Sequence, residues 1–154
     1  MDELLLGTLA TAPRLPPVTI ESFEHAALER LADRGVPHAL VALIGHQPFT
    51  DHRALADPAA FAGYSGVSLR TGLVRPGVVA GFREAGLDVW TWTLRPENRF
   101  LPLRYRLPTG PFGRYAAYWR RLVDAGVTGV FADHPDLALR ELGTPLDVGA
   151  PAYP

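Results

Sequence analysis

Two indoles, an arginine and a carboxylate crowd the end of one stretch of this chain, Ala85–Asn98 (AGLDVWTWTLRPEN). Trp90 and Trp92 offer large apolar faces. Arg95 offers a planar fork that can bind a phosphate oxygen, although a loop arginine reads equally well as an ion-pair partner, here of Glu97. Other residues carry chemical types without a recognised pattern. His46, Asp51 and His52 invite a metal reading, but His-x5-His in a proline-broken loop is not a ligand spacing with a known geometry. Ser22, His134 and Asp133 contain the types of a nucleophilic triad, yet no Gly-x-Ser-x-Gly elbow surrounds the serine. Asp133, followed closely by Pro135, reads as a turn former, because Asx side chains bond their own backbone.

The elements that must hold these groups follow from residue pattern. Leu87–Leu94 has no polar face, which is the mark of a strand covered on both sides, and Pro96 forces it to stop. Val18–Phe23, His38–Ile44, Gly63–Arg70 and Val127–Ala132 read as four more strands. Between them, Ala26, Ala27, Leu28 and Leu31 mark one helix, closed by Gly35. Pro76–Ala85 is a second, with proline in its first turn and Gly86 after its end. Tyr115–Ala125 and Asp136–Leu142 complete the set, and Leu4–Leu9 forms a short helix ahead of it. Gly45–Ala60 reads as loose loop and Arg99–Gly113 as a basic loop punctuated by Pro and Gly. Strands alternating with helices predict a parallel sheet with right-handed crossovers, and so put Arg95 and its neighbours at the carboxyl ends of the strands, where α/β proteins bind ligands.

Composition narrows the classes. In 154 residues, 47% apolar and 20% charged, there is material for one globular domain with a real core. A net charge of −1 and a pI near 6.5 argue against a nucleic-acid or anionic-membrane partner. With no cysteine, disulfides, thiolate metal sites and a cysteine nucleophile are excluded. No apolar run reaches a membrane span, and Asp2 and Glu3 stand where a signal peptide carries basic residues, so no export signal is expected.

Three stretches in order resemble the glycerophosphodiester phosphodiesterase family. VTIESF is similar to that family's strand ending in Ser-Phe. AGLDVWTWTLRPEN resembles its Gly-x-x-Val-x-x-Trp/Tyr-Thr strand, the Thr93-Leu94-Arg95 ending being similar to the periplasmic bacterial branch. AGVTGVFADHPDLAL is similar to its closing Gly-Val-x-Gly-x-x-x-Asp-x-Pro-Asp strand and helix. The resemblance implies a (β/α)8 TIM-type barrel, a fold of ~250 residues. Five strands then imply its carboxyl-terminal part, about the last five β/α units. It places the domain at 18–142, after a helix and linker at 1–17 and before a disordered tail at 143–154.

The resemblance also implies a function and a site. The family hydrolyses glycerophosphodiesters to glycerol 3-phosphate and an alcohol with a divalent cation, Ca or Mg. Glu21 stands where the family has Gln or Glu facing the pocket, and Phe23 shares its face by strand periodicity, although it is also ordinary core material. Trp92 matches the aromatic on the glycerol side, and Arg95 completes the implied substrate-binding set. The family's His-Arg-Gly, Glu-x-Asp, His-Asp and Glu-x-Lys motifs, which bring the acid/base histidines and metal carboxylates, are all missing, and the chain has no lysine. The expectation is a truncated and inactive chain from a mis-started or split gene. The alternative is a non-catalytic half-barrel that self-associates through open strand edges.

Overall fold

The computed structural model describes residues 2–12, 16–45, 57–61 and 63–143. The expected metal-type residues His46, Asp51 and His52, and the tail from 144, lie outside them. Five strands, β1 (Thr19–Ser22), β2 (Ala39–Ile44), β3 (Gly66–Arg70), β4 (Asp88–Leu94) and β5 (Gly129–Ala132), form one sheet in the order 1-2-3-4-5 with every pair parallel. Helices α1 (Asp2–Thr11), α2 (His25–Asp33), α3 (Pro76–Glu84), α4 (Tyr115–Asp124) and α5 (Pro135–Leu142) accompany it. Sequential order with parallel crossovers is the arrangement of a partial TIM-type barrel.

The helices close where the sequence predicts. Pro76 opens α3, and Val79 and Phe82, three residues apart, turn one face into the core. Its end is set by Gly86 at φ 81°, from which Leu87 returns its N–H to the Phe82 carbonyl. Tyr118, Trp119 and Leu122 form the buried stripe of α4, and Gly126, at φ 97°, ends it.

Register separates the two faces of the sheet. Parallel partners face the same side, so Glu21, Val41, Ser68 and Trp90 share one face, with Gly129 beneath Trp90. The other face carries Leu40, Ala42, Ile44, Val67, Leu69 and Val89, all buried in one cluster with Leu28, Phe82, Trp119 and Leu122 from the helices. Each fully buried Leu or Phe there contributes about 1.5–3 kcal/mol of transfer free energy. On the first face, Trp90 and Trp92 are half-buried, which corrects the expectation that β4 is covered on both sides. Gly129 is compulsory on that face, since a Cβ there would stand 2.8 Å from Cδ1 of Trp90.

Candidate functional site

Glu21, Phe23, Trp92 and Arg95 all sit at the carboxyl ends of their strands, and the sheet brings them together. Trp92 is the hub. Its indole Nε1 donates to the Ser68 carbonyl across β3 at 3.1 Å, which fixes the ring plane. Phe23 meets that ring edge-on, centroids 5.4 Å apart and planes at 84°. Both rings close over Gly45 at the end of β2, where a Cβ would stand in ordinary van der Waals contact with them at 3.4–3.5 Å. The peptide between Trp92 and Thr93 is cis.

Trp92 and Thr93 form a wall between two cavities. One, of about 420 Å³, is lined by Glu21, Phe23, Leu43, Phe131 and Asp133 on the far side of that wall. The other, of about 290 Å³, is lined by Arg70, Thr71, Arg95 and Phe100. The first is aromatic and carboxylate-bearing, the second basic. In the first, Oε1 of Glu21 is buried and has no hydrogen-bond partner, and burial pushes its carboxyl above the usual range. An acceptor held so is available to a ligand hydroxyl.

Arg95 differs from its expected pairing. Its Nε donates to Oδ2 of Asp133 at 2.6 Å, and its guanidinium lies 4.6 Å from the Phe100 ring centroid. Glu97 instead approaches Nε2 of His134 at 3.9 Å, so the Arg95–Glu97 pair is not formed. The reason is geometric. The ends of β4 and β5 are adjacent, with Leu94 paired to Ala132, whereas Glu97 has turned away into a bridge with Phe112. Asp133 thereby ties the ends of β4 and β5 together from the bend that follows β5. The triad reading also fails, since Ser22 Oγ accepts from the Glu24 N–H at 2.9 Å and His134 faces Glu97.

A divalent cation wants several oxygen ligands at once, six or more around calcium. Around these cavities stand two carboxylates, one of them already held by Arg95. Among the described residues no group of three or more His, Asp or Glu side chains could hold a metal ion, so these residues do not fit that cofactor by themselves. Arg70, Thr71, Phe100 and Phe131 escaped the sequence reading. Arg70 could have been found, for it is the last residue of its strand and pairs in register with Trp92.

Comparison with known proteins agrees with this geometry. The Glycerophosphoryl diester phosphodiesterase family matches residues 9–137. An Oleispira antarctica phosphodiesterase solved with the product sn-glycerol-3-phosphate superposes with a TM-score of 0.66 at 15% identity, covering 93% of this chain and 49% of the other. A candidate glycerophosphoryl diester phosphodiesterase from Silicibacter pomeroyi gives 0.67 at 24% identity, over 92% and 43%. The glycerophosphodiester phosphodiesterase of Thermotoga maritima gives 0.61 at 14% identity, over 91% and 54%. At such identities the structures show the fold, and this chain spans about half the length of each. No curated protein matches it. The family match covers most of the chain and coincides with the strand ends that gather Glu21, Trp92 and Asp133; the chain belongs to the glycerophosphoryl diester phosphodiesterase family.

Proposed function

We propose that residues 18–142 build one wall of a barrel that hydrolyses glycerophosphodiesters to glycerol 3-phosphate and an alcohol. The acid/base histidines and the ligands of a calcium or magnesium ion come from a complementary part. The observation that supports this most is the seat of Trp92, between an aromatic cavity holding the unpartnered Glu21 oxygen and a cavity holding Arg70 and Arg95. A phosphodiester is an anion between two alcohols, and these two cavities suit its two chemistries. Trp92 and Phe23 give the carbon skeleton an apolar surface. Glu21 takes a hydroxyl hydrogen bond. Arg95, kept in place by Asp133 and Phe100, neutralises phosphoryl charge.

Glycerol 3-phosphate release from glycerophosphocholine tests this. The chain alone is expected to give none, with or without metal. Co-expression with the amino-terminal half of a full-length relative is expected to restore metal-dependent turnover, reduced on the order of tenfold or more by Trp92→Ala. Turnover near ~1–10³ s⁻¹ by the chain alone would overturn the proposal and direct attention to His46, Asp51, His52 and Asp133.

One observation favours a second reading, a non-catalytic assembly module. Among the described residues β1 and β5 each pair along one edge, and Phe23 and Phe131 stand 60% and 40% exposed on the face between them. Sedimentation as a compact monomer at every concentration, with failure of the co-expression rescue, would leave neither reading standing.

A further inference from the structure

A net charge of −1 averages over an uneven chain. From Asn98 to Val123 there is no acidic residue, while Arg99, Arg104, Arg106 and Arg114 fall within the first part of that run. All four are exposed, and among the described residues none forms an ion pair. Large apolar side chains are interleaved with them. Of the eight exposed large hydrophobic residues among the described ones, Phe100, Leu103, Leu107 and Phe112 lie here, Leu103 at 80% exposure.

This exposure is built in. Asn98 gathers the segment through its amide, donating to the Leu107 and Gly110 carbonyls and accepting the Leu107 N–H at 2.8 Å. Arg106 donates to the Leu101 and Arg99 carbonyls. Leu101 is buried at 1% exposure and Tyr105 packs at a tilt against Tyr118, so the anchors point in while Leu103 points out. A segment this well tied holds its apolar and cationic groups to solvent in a fixed arrangement, on the rim beside the cavity that Phe100 lines.

We propose that residues 99–114 dock on an anionic lipid surface, with Arg99, Arg104 and Arg114 at the phosphate layer and Leu103 with its apolar neighbours entering the acyl boundary. Charge complementarity selects an acidic partner. Arginines and apolar side chains interleaved at intervals of one to five residues suit the narrow boundary of a bilayer, where charge and hydrocarbon lie side by side. Docking there would hold the open ends of the strands at the membrane. The inference does not depend on hydrolysis.

Co-sedimentation with phosphatidylcholine vesicles, with and without phosphatidylglycerol, tests it at low and high salt. The expected result is binding to the phosphatidylglycerol vesicles alone, weakened by salt. Leu103→Asp, at an exposed position, should lower partitioning on the order of tenfold with an unchanged melting curve, and Arg99→Gln with Arg104→Gln should do the same. Failure to bind phosphatidylglycerol vesicles overturns the proposal. So does binding that salt removes but Leu103→Asp leaves intact, which would mark a surface for an acidic protein or another polyanion instead.

Discussion

The two faces of β4, one of β-branched residues and one of indoles, have different fates. Toward the helices, Val89 and Thr91 are fully buried, and the Thr91 hydroxyl donates to the Leu69 carbonyl at 2.8 Å. On the opposite side Trp90 and Trp92 are half-buried, and Nε1 of Trp90, Oγ of Ser68 and Oε1 of Glu21 lack a hydrogen-bond partner. Buried polar groups are ordinarily paired; on the helix side Nε1 of Trp119 is also unpartnered, but three such atoms gather on the opposite face, which is the one prepared for something more. The candidate site belongs to the second.

Stability measurements can break this contrast. Trp119→Ala, at a fully buried ring on the helix side, is expected to cost about 3–5 kcal/mol, a large share of a domain's ~5–15 kcal/mol. Phe131→Ala on the open side is expected to cost less than about 1 kcal/mol by denaturant unfolding. Equal costs would mean that the open face is covered in solution.

A smaller effect compares two hydroxyls. Thr91→Val removes a buried donor from a made bond and should cost on the order of 1 kcal/mol. Ser68→Ala removes a buried oxygen that bonds nothing and should be neutral or slightly stabilising. A Ser68→Ala loss as large as that of Thr91→Val would show that the open face is not the unfinished one.

The smallest effect is a change in pH dependence. Burial raises the Glu21 carboxyl above its ordinary 4.5, so the folded chain keeps this proton longer than the unfolded chain. Stability is then lost as pH climbs through 4.5 toward the raised value, and Glu21→Gln should not show that loss. The difference in unfolding free energy between variant and parent should therefore grow in favour of Gln between acid and neutral pH. A flat difference would mean that the carboxyl is not desolvated as described.

The strands were largely legible because continuous apolar runs and glycine stops are local. Ala39–Ile44 and Asp88–Leu94 depart by one residue from their expected starts, and Tyr115–Asp124 from its expected end. The strand expected at Gly63–Arg70 begins at Gly66, since the preceding turn absorbs Tyr64 and Ser65. The clustering of the candidate residues was legible only where a residue type announces itself at a strand end, as Trp92 does. Arg95 and Asp133 are 38 residues apart, and nothing local says that β4 and β5 are neighbours with a register shift between Thr91 and Leu94. Without that register Glu97 is the nearest acid in sequence and the wrong one in space. Asn98 was missed for the same reason, its partners lying nine and twelve residues on.

The close approach of Gly129 to Trp90 bears on how such a sequence can drift. A methyl at 129 would stand 2.8 Å from the indole, so position 129 stays closed to every larger residue while 90 is tryptophan. Once 90 shrinks, glycine at 129 leaves a hole. The two positions are locked into an order of change, residue 90 first and residue 129 second, and lineages that reverse it should be rare. Among diverging sequences, glycine at 129 should therefore travel with a large aromatic at 90, a pairing visible to anyone who tabulates the two columns together.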